Sequence, residues 1–597
     1  MKKPLIKEVN YNQSTIHKLD QMPTNNRQRE LLLEFPTVYI INNRESSKTP
    51  RYTVYVGETN DIVQRTQQHL TIDPKLRTDW LKLAEANNAK MFVIAHDHFN
   101  KSLTLDIEDR LMLYLSGSNP VKTLNNRRRN DQTNYYPKAE MAPIFSAIWS
   151  GLHHKLPSLF PTEKIVQESA VFKASPFHAL RPEQITAEQH IMERVREALA
   201  NNERGQLIFV EGNAGSGKTV LLSNLFYDII NGNFDTTDDA ETEESSLQQR
   251  PQTATLLVNH NEQLKVYQEI AEKLNLNVAE RKVVDKPTPF INASDPSQPL
   301  DVALVDEGHL LLTRGKQSYT GKNQLHDIMA RARVTILVFD RRQILKTEEY
   351  WENDDLKLLE QQALATDNMI VLHNQLRIAA SQTTIDWLEN LVYGRRLTPL
   401  TLDANHRDSQ NYEIRVFDSP KDLQDAITTH VGSSETNTHG LSRLLATFDW
   451  PYSNKPNPNR TDHLWHVKIG DWELPWNQQL KGPKGETKLA WAEQTQTIRE
   501  VGSTYTIQGF DLNYSAVIIG PSVKYRHGQI IFDPQGSKNK GATQRRTLKD
   551  GRKVYLSDEL LQNELNVLLT RGVHGLYLYA VDPELQAQLK ACLRPQA

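Results

Sequence analysis

Cysteine is nearly absent from this chain of 597 residues, because Cys592 is the single example. One thiol closes no disulfide within the chain and builds no multi-cysteine metal site, so the sequence favours a reducing, cytoplasmic compartment. Long apolar runs are missing as well: the longest, such as residues 334–339, have strand length and fall short of the roughly 18–20 residues that span a bilayer. The first residues carry two lysines with no apolar core behind them. We therefore expect neither a secretory signal nor a membrane span.

Net charge of one sign is also lacking, since 70 Lys and Arg residues oppose 73 Asp and Glu residues. The near-balance is a sum of unlike regions. Residues 1–150 hold 21 basic and 16 acidic side chains, whereas residues 231–252 hold six acidic side chains and almost no large apolar ones. We interpret 231–252 as a disordered surface insertion and the basic front as a region suited to nucleic acid.

Domain organisation follows from the pattern of aliphatic runs. From Leu207 onward, short aliphatic strands alternate with amphipathic helical stretches, a pattern typical of an α/β protein whose parallel sheet has helices on both faces. The sequence predicts a small mixed α/β domain at 1–150, a proline-containing linker at 151–182, and two parallel-sheet lobes at 183–370 and 371–597.

The strongest motif is GNAGSGKT at residues 212–219, between an aliphatic strand and a helix. This pattern is typical of a phosphate-binding loop (P-loop), because glycines let backbone N–H groups close around phosphates at a helix N-terminus. We expect Lys218 to reach the β- and γ-phosphates and the Thr219 hydroxyl to ligate Mg²⁺. The predicted nucleotide-binding residues of the loop are Gly212, Gly215, Ser216, Gly217, Lys218 and Thr219.

A pair of carboxylates follows a later aliphatic run. The run VALVD ends in Asp306, and Glu307 comes next. An Asp at the end of a strand is placed to hold Mg²⁺, and the following Glu is placed to polarise the attacking water. Together with the P-loop, this pair predicts hydrolysis of ATP with Mg²⁺.

Two glutamines in the first lobe favour further nucleotide contacts. Gln189 lies on a helix upstream of the P-loop, and its amide offers the donor and acceptor that suit adenine. Gln343 follows the strand VTILVFD, a position suited to a sensor of the γ-phosphate. A plain capped helix start is the alternative interpretation of the segment around Gln189.

The second half of the chain supplies groups that favour a motor over a simple ATPase. Arg377 and Arg571 lie where a second lobe would present them to a nucleotide on the first, which couples hydrolysis to lobe closure. A buried structural role is the alternative for each arginine. Gln508 and Gly509, in the segment YTIQGFD, suit a loop that touches both a sugar-phosphate backbone and the nucleotide.

These motifs resemble the superfamily 1 helicase core and, more narrowly, the bacterial helicase-like domain grouped with the Schlafen group III proteins. The matching segments are GNAGSGKT, LVNHNEQL, LVDEGH, FDRRQ, NQLRIA, YTIQGFD and LLTRG, in that order, between about residue 180 and residue 597. The resemblance implies two RecA-like lobes, ATP and Mg²⁺ as cofactors, and nucleic acid as the partner. FDRRQ stands where ordinary helicases have Gly-Asp-x-x-Gln, so translocation or remodelling without processive strand separation stays open.

A different set of residues lies in the front domain. Tyr39 and Tyr55 are on two predicted strands, Arg65 and His69 are one turn apart on a helix, and Glu108 is on a later helix. Such groups are able to cleave a phosphodiester, with Glu108 binding a divalent metal, Arg65 neutralising the phosphorane, and a Tyr or His activating water. Core tyrosines and solvated helix charges are the alternative interpretation.

The segments VYI and YVG, with the spacing to Arg65 and His69, resemble the two motifs of the GIY-YIG nuclease family. The resemblance implies Tyr39, Tyr55, Arg65, His69 and Glu108 in one active site, with Asn125 (or Asn126) as a polar anchor. Here the first motif lacks its glycine and the loop between the tyrosines is longer than usual. Neither change removes a chemical group, so we expect an active nuclease.

Two basic stretches suggest phosphate contacts. Residues 127–129 are three consecutive arginines, and residues 538–553 hold seven Lys and Arg with one Asp. Both suit a nucleic-acid surface, and a solvated charge run is the alternative for each.

The combined prediction is an ATP-dependent nucleic-acid motor fused to a Mg²⁺-dependent endonuclease, acting on DNA rather than RNA and serving in phage defence. An ATP-gated protein that recognises nucleic acid without cutting it is the first alternative. An RNA- or tRNA-directed nuclease is the second.

Overall fold

The structure is a computed structural model of the chain. It describes residues 3–15, 19, 21, 23, 25–45, 50–76, 78–86, 88–125, 134–233, 253–277, 282–315, 319–373, 377–430, 441–484, 486 and 489–595. Most of the predicted insertion at 231–252 lies outside these residues, as do Asn126 and the arginines at 127–129. The chain divides into two compact units, residues 1–179 with 267–283 and residues 180–266 with 284–597.

The first unit is built on one five-stranded sheet. Its strands are β1 (Leu5–Asn10), β2 (Thr37–Arg44), β3 (Tyr52–Thr59), β4 (Lys90–Ala95) and β5 (Val121–Leu124). The order is β1-β4-β2-β3-β5, antiparallel throughout except for the parallel pair β3–β5. Its α-helices are α1 (Asn26–Arg29), α2 (Ile62–Thr71), α3 (Asp73–Leu76), α4 (Thr78–Ala84), α5 (Lys101–Gly117), α6 (Met141–Lys155), α7 (Glu163–Glu168) and α8 (Ala170–Lys173).

The β2–β3 hairpin places the predicted tyrosines on one face of the sheet. Tyr39 pairs with Gly57 and Ile41 pairs with Tyr55 across the hairpin. Because side chains alternate along a strand, Tyr39, Ile41 and Tyr55 enter the same buried cluster. The helix α2 begins after Asp61, whose carboxylate caps it by accepting from two backbone N–H groups.

The second unit opens with a parallel six-stranded sheet. Its strands are β6 (Gln206–Gly212), β7 (Ala254–Val258), β8 (Val284–Asp285), β9 (Leu300–Asp306), β10 (Ala332–Phe339) and β11 (Met369–Leu372), in the order β11-β6-β10-β9-β7-β8. The α-helices of this lobe are α9 (Pro182–Ala200), α10 (Lys218–Asn231), α11 (Asn261–Lys273, the last turns of which belong to the first unit), α12 (Pro287–Ala293), α13 (Gln324–Met329) and α14 (Asn353–Ala365). The carboxyl ends of these parallel strands meet at one edge, which is where ligands bind in such sheets.

A second parallel sheet forms the other lobe of this unit. Its main strands are β13 (Glu413–Val416), β14 (Arg443–Ala446), β17 (Leu512–Ile519) and β22 (Gly572–Ala580). Their order in the sheet is β13-β22-β17-β14. The remaining strands form two-stranded pairs, which are β12 (Leu400–Leu402) with β23 (Leu593–Pro595), β15 (His466–Ile469) with β16 (Trp472–Pro475), β18 (Val523–Arg526) with β19 (Gln529–Phe532), and β20 (Arg545–Thr547) with β21 (Lys553–Tyr555). The α-helices are α15 (Gln382–Val392), α16 (Pro420–Thr429), α17 (Thr504–Ile507), α18 (Lys540–Thr543), α19 (Ser557–Leu569) and α20 (Pro583–Cys592).

The predicted α/β class with parallel sheets is confirmed in the second unit. Residues 151–173 of the expected linker are largely helical and belong to the first unit, and the expected lobe boundary at 370 falls within β11, which pairs with β6. Among the described residues, no helix combines the length and apolar character needed to cross a membrane.

Candidate functional site

The P-loop joins the end of β6 to the start of α10. Gly215 (φ 88°) and Gly217 (φ 81°) have left-handed backbones that residues with side chains rarely adopt. A Cβ on Gly212 would lie 2.5 Å from Oγ of Ser216, so close packing requires glycine there. The loop therefore depends on the glycines that the motif predicts.

Lys218 is almost fully buried in this loop. Its Nζ donates to the carbonyl oxygens of Gly212 and Asn213, the latter at 2.7 Å, and lies 3.6 Å from Asp340 Oδ2. Burial lowers the pKa of Lys218, and the charge of Asp340 opposes that shift. The Oγ of Ser216 is buried and has no hydrogen-bond partner among the described residues. A buried ammonium and a buried hydroxyl of this kind fit a polyphosphate as their partner.

The two predicted carboxylates lie at the end of β9. Asp306 accepts from Nε2 of Gln263 at 2.5 Å. Glu307 has a left-handed backbone (φ 50°), a conformation that concentrates at functional sites. Its Oε2 lies 3.1 Å from Nε2 of His309, whose pKa is lowered by burial. Gln263 and His309 were not predicted as site residues, although both lie in the motifs LVNHNEQL and LVDEGH.

Gln343 connects this edge of the first sheet to the second lobe. Its Nε2 donates to Asp340 Oδ2 at 2.7 Å, and its Oε1 accepts from Arg571 Nη2 at 2.8 Å. Gln508 donates to the carbonyl oxygen of Gln343 at 3.2 Å and lies 3.3 Å from His309 Nε2. Arg571 is fully buried, and burial lowers its pKa to about 9, with the charge of Arg377 as the next cause. Five side chains from two lobes thus share one buried network.

Arg377 and Gly509 are the other predicted site residues of the second lobe. Nε of Arg377 pairs with Oδ1 of Asp511 at 2.5 Å. The charge of Arg377 contributes to the lowered pKa of Lys218, so the two cations lie within electrostatic reach of each other. Gly509 has φ 81°, and a Cβ there would lie 2.5 Å from Oε1 of Gln263. The segment YTIQGFD therefore lies directly against the first lobe.

Two glutamines of α9 differ in their surroundings. Gln189 is exposed on α9, whereas Gln184 in the first turn of that helix is buried. Nε2 of Gln184 donates to the carbonyl oxygen of Gly217 at 3.0 Å, and its Oε1 accepts from the backbone of Arg181 at 2.9 Å. The signal for Gln184 was its place in the helix start, three residues after the cap, where an amide side chain turns back toward the N-terminus. Thr219 lies in the first turn of α10, as predicted.

The predicted residues of the front domain also come together. Oη of Tyr39 lies 2.7 Å from Nε2 of His69, and Nδ1 of His69 is hydrogen-bonded to Oδ2 of Asp73. Burial raises the pKa of Tyr39 well above its usual value, the charges of Tyr55 and Glu108 raise it further, and the charge of Arg65 opposes the shift. These groups therefore lie within electrostatic reach of one another. Asp73 was not predicted.

Aromatic packing holds this cluster. Tyr39 and Tyr55 have ring centroids 6.0 Å apart, and His69 stacks on Trp80 at 3.8 Å. A Cβ on Gly57 would collide with the hydroxyl end of Tyr39, which explains the glycine of YVG. The Glu108 side chain is buried, and its charge raises the pKa of Tyr55 after burial does.

The remaining predicted positions divide between described and undescribed residues. Asn125 is buried, and its backbone donates to Val54 at 2.8 Å. The arginines at 127–129 lie outside the described residues. In the basic stretch 538–553, Arg546 is buried and donates to the Thr347 carbonyl and, at 3.1 Å, to Thr313 Oγ1 of the first lobe. Lys549 of the same stretch pairs with Asp355 of the first lobe at 2.6 Å, so at least two of the seven cations contact that lobe.

A P-loop, a strand that ends in a carboxylate, and a buried arginine from a second lobe define a helicase-like P-loop NTPase. Residues 205–582 match the family model of the Schlafen group 3 DNA/RNA helicase domain. An uncharacterized protein of Saccharomyces cerevisiae is 31% identical over 441 residues, which are 69% of this chain and 91% of that protein. The chain belongs to the Schlafen group 3 DNA/RNA helicase domain family.

The alignment with a solved structure of two coordinating Pif1 helicases at forked double-stranded DNA covers 68% of this chain and 94% of that chain. The sequence identity is 10% and the TM-score is 0.24. No residue correspondence follows from a superposition that poor. The family match confirms the predicted helicase-like part of the chain, while the GIY-YIG resemblance of the front stays a prediction.

Proposed function

We propose that this protein hydrolyses ATP between its two lobes to move along or remodel nucleic acid, and that its first unit is a metal-dependent endonuclease. The observation that carries the motor part is the buried network in which Arg571 and Gln508 of one lobe meet Gln343 and His309 of the other. Groups from both lobes around one P-loop link lobe closure to the state of the nucleotide.

In the nucleotide site, Lys218 and the P-loop backbone would bind the β- and γ-phosphates. Glu307 would orient the attacking water, and Arg377 and Arg571 would neutralise charge that develops on the transferred phosphoryl group. Gln184 is better placed than Gln189 for the adenine, since it is held against the P-loop. Each role uses a group that the fold fixes in place before any ligand arrives.

Thr219 and Asp306 would hold Mg²⁺. No group of three or more His, Cys, Asp or Glu able to hold a metal occurs in the described part of the chain. Phosphate and water oxygens would therefore complete the coordination, as is usual for Mg²⁺. When bound, the ion supplies charge neutralisation for the transferring phosphate.

The ATPase proposal is tested by measuring hydrolysis with Lys218→Ala and an exposed control, Lys421→Ala. We expect loss of at least about a hundredfold in kcat for the first, on the order of the cost of one transition-state donor, and no change for the second. Full activity in Lys218→Ala would contradict the proposal. Measuring the same rates with single-stranded DNA, double-stranded DNA and RNA identifies the nucleic acid, which we propose is DNA.

For the first unit, the nuclease proposal is supported by the proximity of five side chains that the sequence singled out, namely Tyr39, Tyr55, Arg65, His69 and Glu108. Arg65 would neutralise the phosphate, the Tyr39–His69 pair would handle the proton of the attacking water, and Glu108 would hold the metal. Incubating a labelled plasmid with Mg²⁺ is the test. The wild type should nick or linearise it and Glu108→Ala should not, whereas a recognition domain would leave both samples intact.

Coupling between the two activities is a separate question. If ATP-driven movement delivers substrate to the nuclease, Lys218→Ala should cut without a response to ATP. Equal cutting by the wild type with and without ATP would remove the coupling. A role in phage defence, proposed from the pairing of nuclease and motor, requires that expression protects bacteria from phage and that Lys218→Ala abolishes the protection.

A further inference from the structure

A short line of polar contacts lies behind Tyr39 in the first unit. Tyr39 Oη is 2.7 Å from Nε2 of His69, and Nδ1 of the same ring meets Oδ2 of Asp73. The His69 side chain is 1% exposed, and that of Asp73 is 15% exposed. The pair is therefore shielded from water on the histidine side.

The carboxylate determines which imidazole nitrogen carries the proton. An ionised Asp only accepts hydrogen bonds, so Nδ1 of His69 must be the donor. In the neutral ring the other nitrogen, Nε2, then has a free lone pair, and the hydroxyl of Tyr39 must donate to it. The Tyr39 proton is thereby turned toward His69, and the lone pairs of its oxygen are turned away from the ring.

Aromatic packing holds the His69 ring in this orientation. The imidazole stacks on the Trp80 ring at 3.8 Å with an interplanar angle of 15°, and the edge of Tyr55 meets it at 5.4 Å. His69 is in the last turn of α2, and Asp73 begins α3 four residues later. Neighbouring helical turns thus fix donor and acceptor on the same side.

The influence of Asp73 reaches beyond the histidine. Tyr11 is 1% exposed, and its pKa is raised first by burial and then by the charges of Asp73 and Tyr55. Its hydroxyl has no hydrogen-bond partner among the described residues. The carboxylate of Asp73 therefore belongs electrostatically to the same buried cluster as the tyrosines.

We propose that Asp73 is a positioning residue of the nuclease centre, which holds His69 in the Nδ1–H form so that Nε2 receives the Tyr39 hydroxyl. The oxygen of Tyr39 is then presented toward Arg65, with which it interacts, and toward a phosphodiester. This inference rests on the proposed nuclease function of the first unit. It adds a residue that neither tyrosine motif nor the spacing to Arg65 indicates.

The test compares plasmid cleavage by the full-length wild type, Asp73→Asn, His69→Ala and the double variant, with Mg²⁺. Asn keeps the size of the side chain but offers an N–H where the ring nitrogen needs an acceptor. We expect Asp73→Asn to lower kcat at least about tenfold with KM within about twofold, and to cause no further loss when His69 is already Ala. Additive losses, or an unchanged kcat, would overturn the positioning role.

Two controls separate positioning from folding. Asp61→Asn changes the same residue type at the cap of α2, where Asn caps equally well, and cleavage should stay at the wild-type level. ATP hydrolysis by Asp73→Asn should also match the wild type, because the nucleotide site is in the other unit. Loss of ATP hydrolysis or a lower thermal midpoint in Asp73→Asn would identify a structural role and overturn the proposal.

A measurement that does not need cleavage distinguishes the two proposals. With ¹⁵N-labelled histidine, the signal of His69, assigned by its loss in His69→Ala, should report the Nδ1–H form in the wild type and shift toward the other form in Asp73→Asn. That result in a protein that cuts neither DNA nor RNA would retain the positioning and reject the nuclease. A cutting protein whose His69 signal does not respond to Asp73→Asn would reject the positioning.

Discussion

Arg571 donates from Nη2 to Oε1 of Gln343 at 2.8 Å, and both side chains are buried. The glutamine amide is oriented by its other end, since Nε2 donates to Asp340 at 2.7 Å. Asp340 in turn lies 3.6 Å from Nζ of Lys218. An arginine of one lobe is therefore connected to the P-loop of the other through one amide and one carboxylate.

This connection predicts that Arg571 and Gln343 act as a unit in ATP hydrolysis. We expect Arg571→Ala to lower kcat on the order of a thousandfold, the scale of an arginine finger, and Gln343→Met to lower it by a smaller factor. The double variant should be no worse than Arg571→Ala alone. Steady-state ATPase rates check this, with the exposed Gln535→Met as control. Additive losses would mean that the two residues act independently.

The two glutamines of α9 give a matched comparison. Because Gln184 is buried against the P-loop and Gln189 is exposed, we expect Gln184→Ala to raise KM for ATP about tenfold, the cost of one lost buried contact, and to reduce discrimination against GTP. Gln189→Ala should leave both quantities unchanged. ATP and GTP titrations of the two variants check the expectation, and the reverse pattern would restore the role predicted for Gln189.

A buried acid pair in the second lobe predicts a pH dependence of stability. Burial raises the pKa of Glu564 to about 7 and that of Asp449 to about 6, and the charge of Asp449 further raises the pKa of Glu564. Both oxygens of Glu564 accept hydrogen bonds, from Phe448 and Asn539. Oδ1 of Asp449 has no partner among the described residues, so a proton on this atom is the favoured state at low pH.

The direction in which stability changes with pH follows from the number of protons that the folded and unfolded states bind. The folded state keeps these protons to a higher pH than the unfolded chain, whose carboxylates titrate near about 4. The stabilisation is complete below that pH and is lost as pH rises through the folded values. Each tenfold difference in proton affinity between the folded and unfolded states corresponds to about 1.4 kcal/mol. We expect the thermal midpoint to fall between about pH 5 and pH 8, and to fall less in Glu564→Gln than in the exposed control Glu584→Gln. Parallel profiles for the two variants would contradict the assignment.

Adjacent arginines of β20 separate lobe docking from surface charge. Arg546 is buried and bonds to Thr347 and Thr313 of the first lobe, whereas Arg545 is exposed and bonds to Tyr555 of its own hairpin. We expect Arg546→Ala to lower the free energy of unfolding by about 1–3 kcal/mol, the cost of lost buried hydrogen bonds, and Arg545→Ala to change it by less than about 0.5 kcal/mol. Chemical denaturation of the two variants is the measurement. Equal stability would remove the docking role.

Much of the nucleotide site was predictable because its chemistry is local in the sequence. The P-loop, Asp306 and Glu307 are contiguous motifs at strand ends, and a parallel sheet brings strand ends together. Gln263 was not predicted, because its contact with Gly509 forms only when α11 and the segment YTIQGFD meet across the lobes. Asp511 was not predicted, because its partner Arg377 is far away in the sequence. The burial of Gln184 and the exposure of Gln189 depend on the phase of α9, which the motif alone does not assign.

In the first unit, the resemblance to the two GIY-YIG motifs implied that five side chains share one site, and the structure places them within electrostatic reach of one another. Asp73 was missed because it is on a separate short helix, and nothing in its neighbourhood marks it as the partner of His69. The segment expected as a linker begins inside α6, whose apolar residues at helical spacing, among them Ile144, Ile148 and Leu152, are fully buried. This burial explains why the end of α6 folds with the first unit.

Gly509 lies at a contact between the two lobes, and the absence of a side chain at this position allows their close approach. Its Cα faces Oε1 of Gln263, and that glutamine holds Asp306 through its other end. Alanine at 509 would disturb this contact, because the added carbon would have to push one lobe away from the other or turn the Gln263 amide away from the Asp306 carboxylate. The distance between the lobes at this point is therefore sensitive to the addition of one carbon atom at position 509.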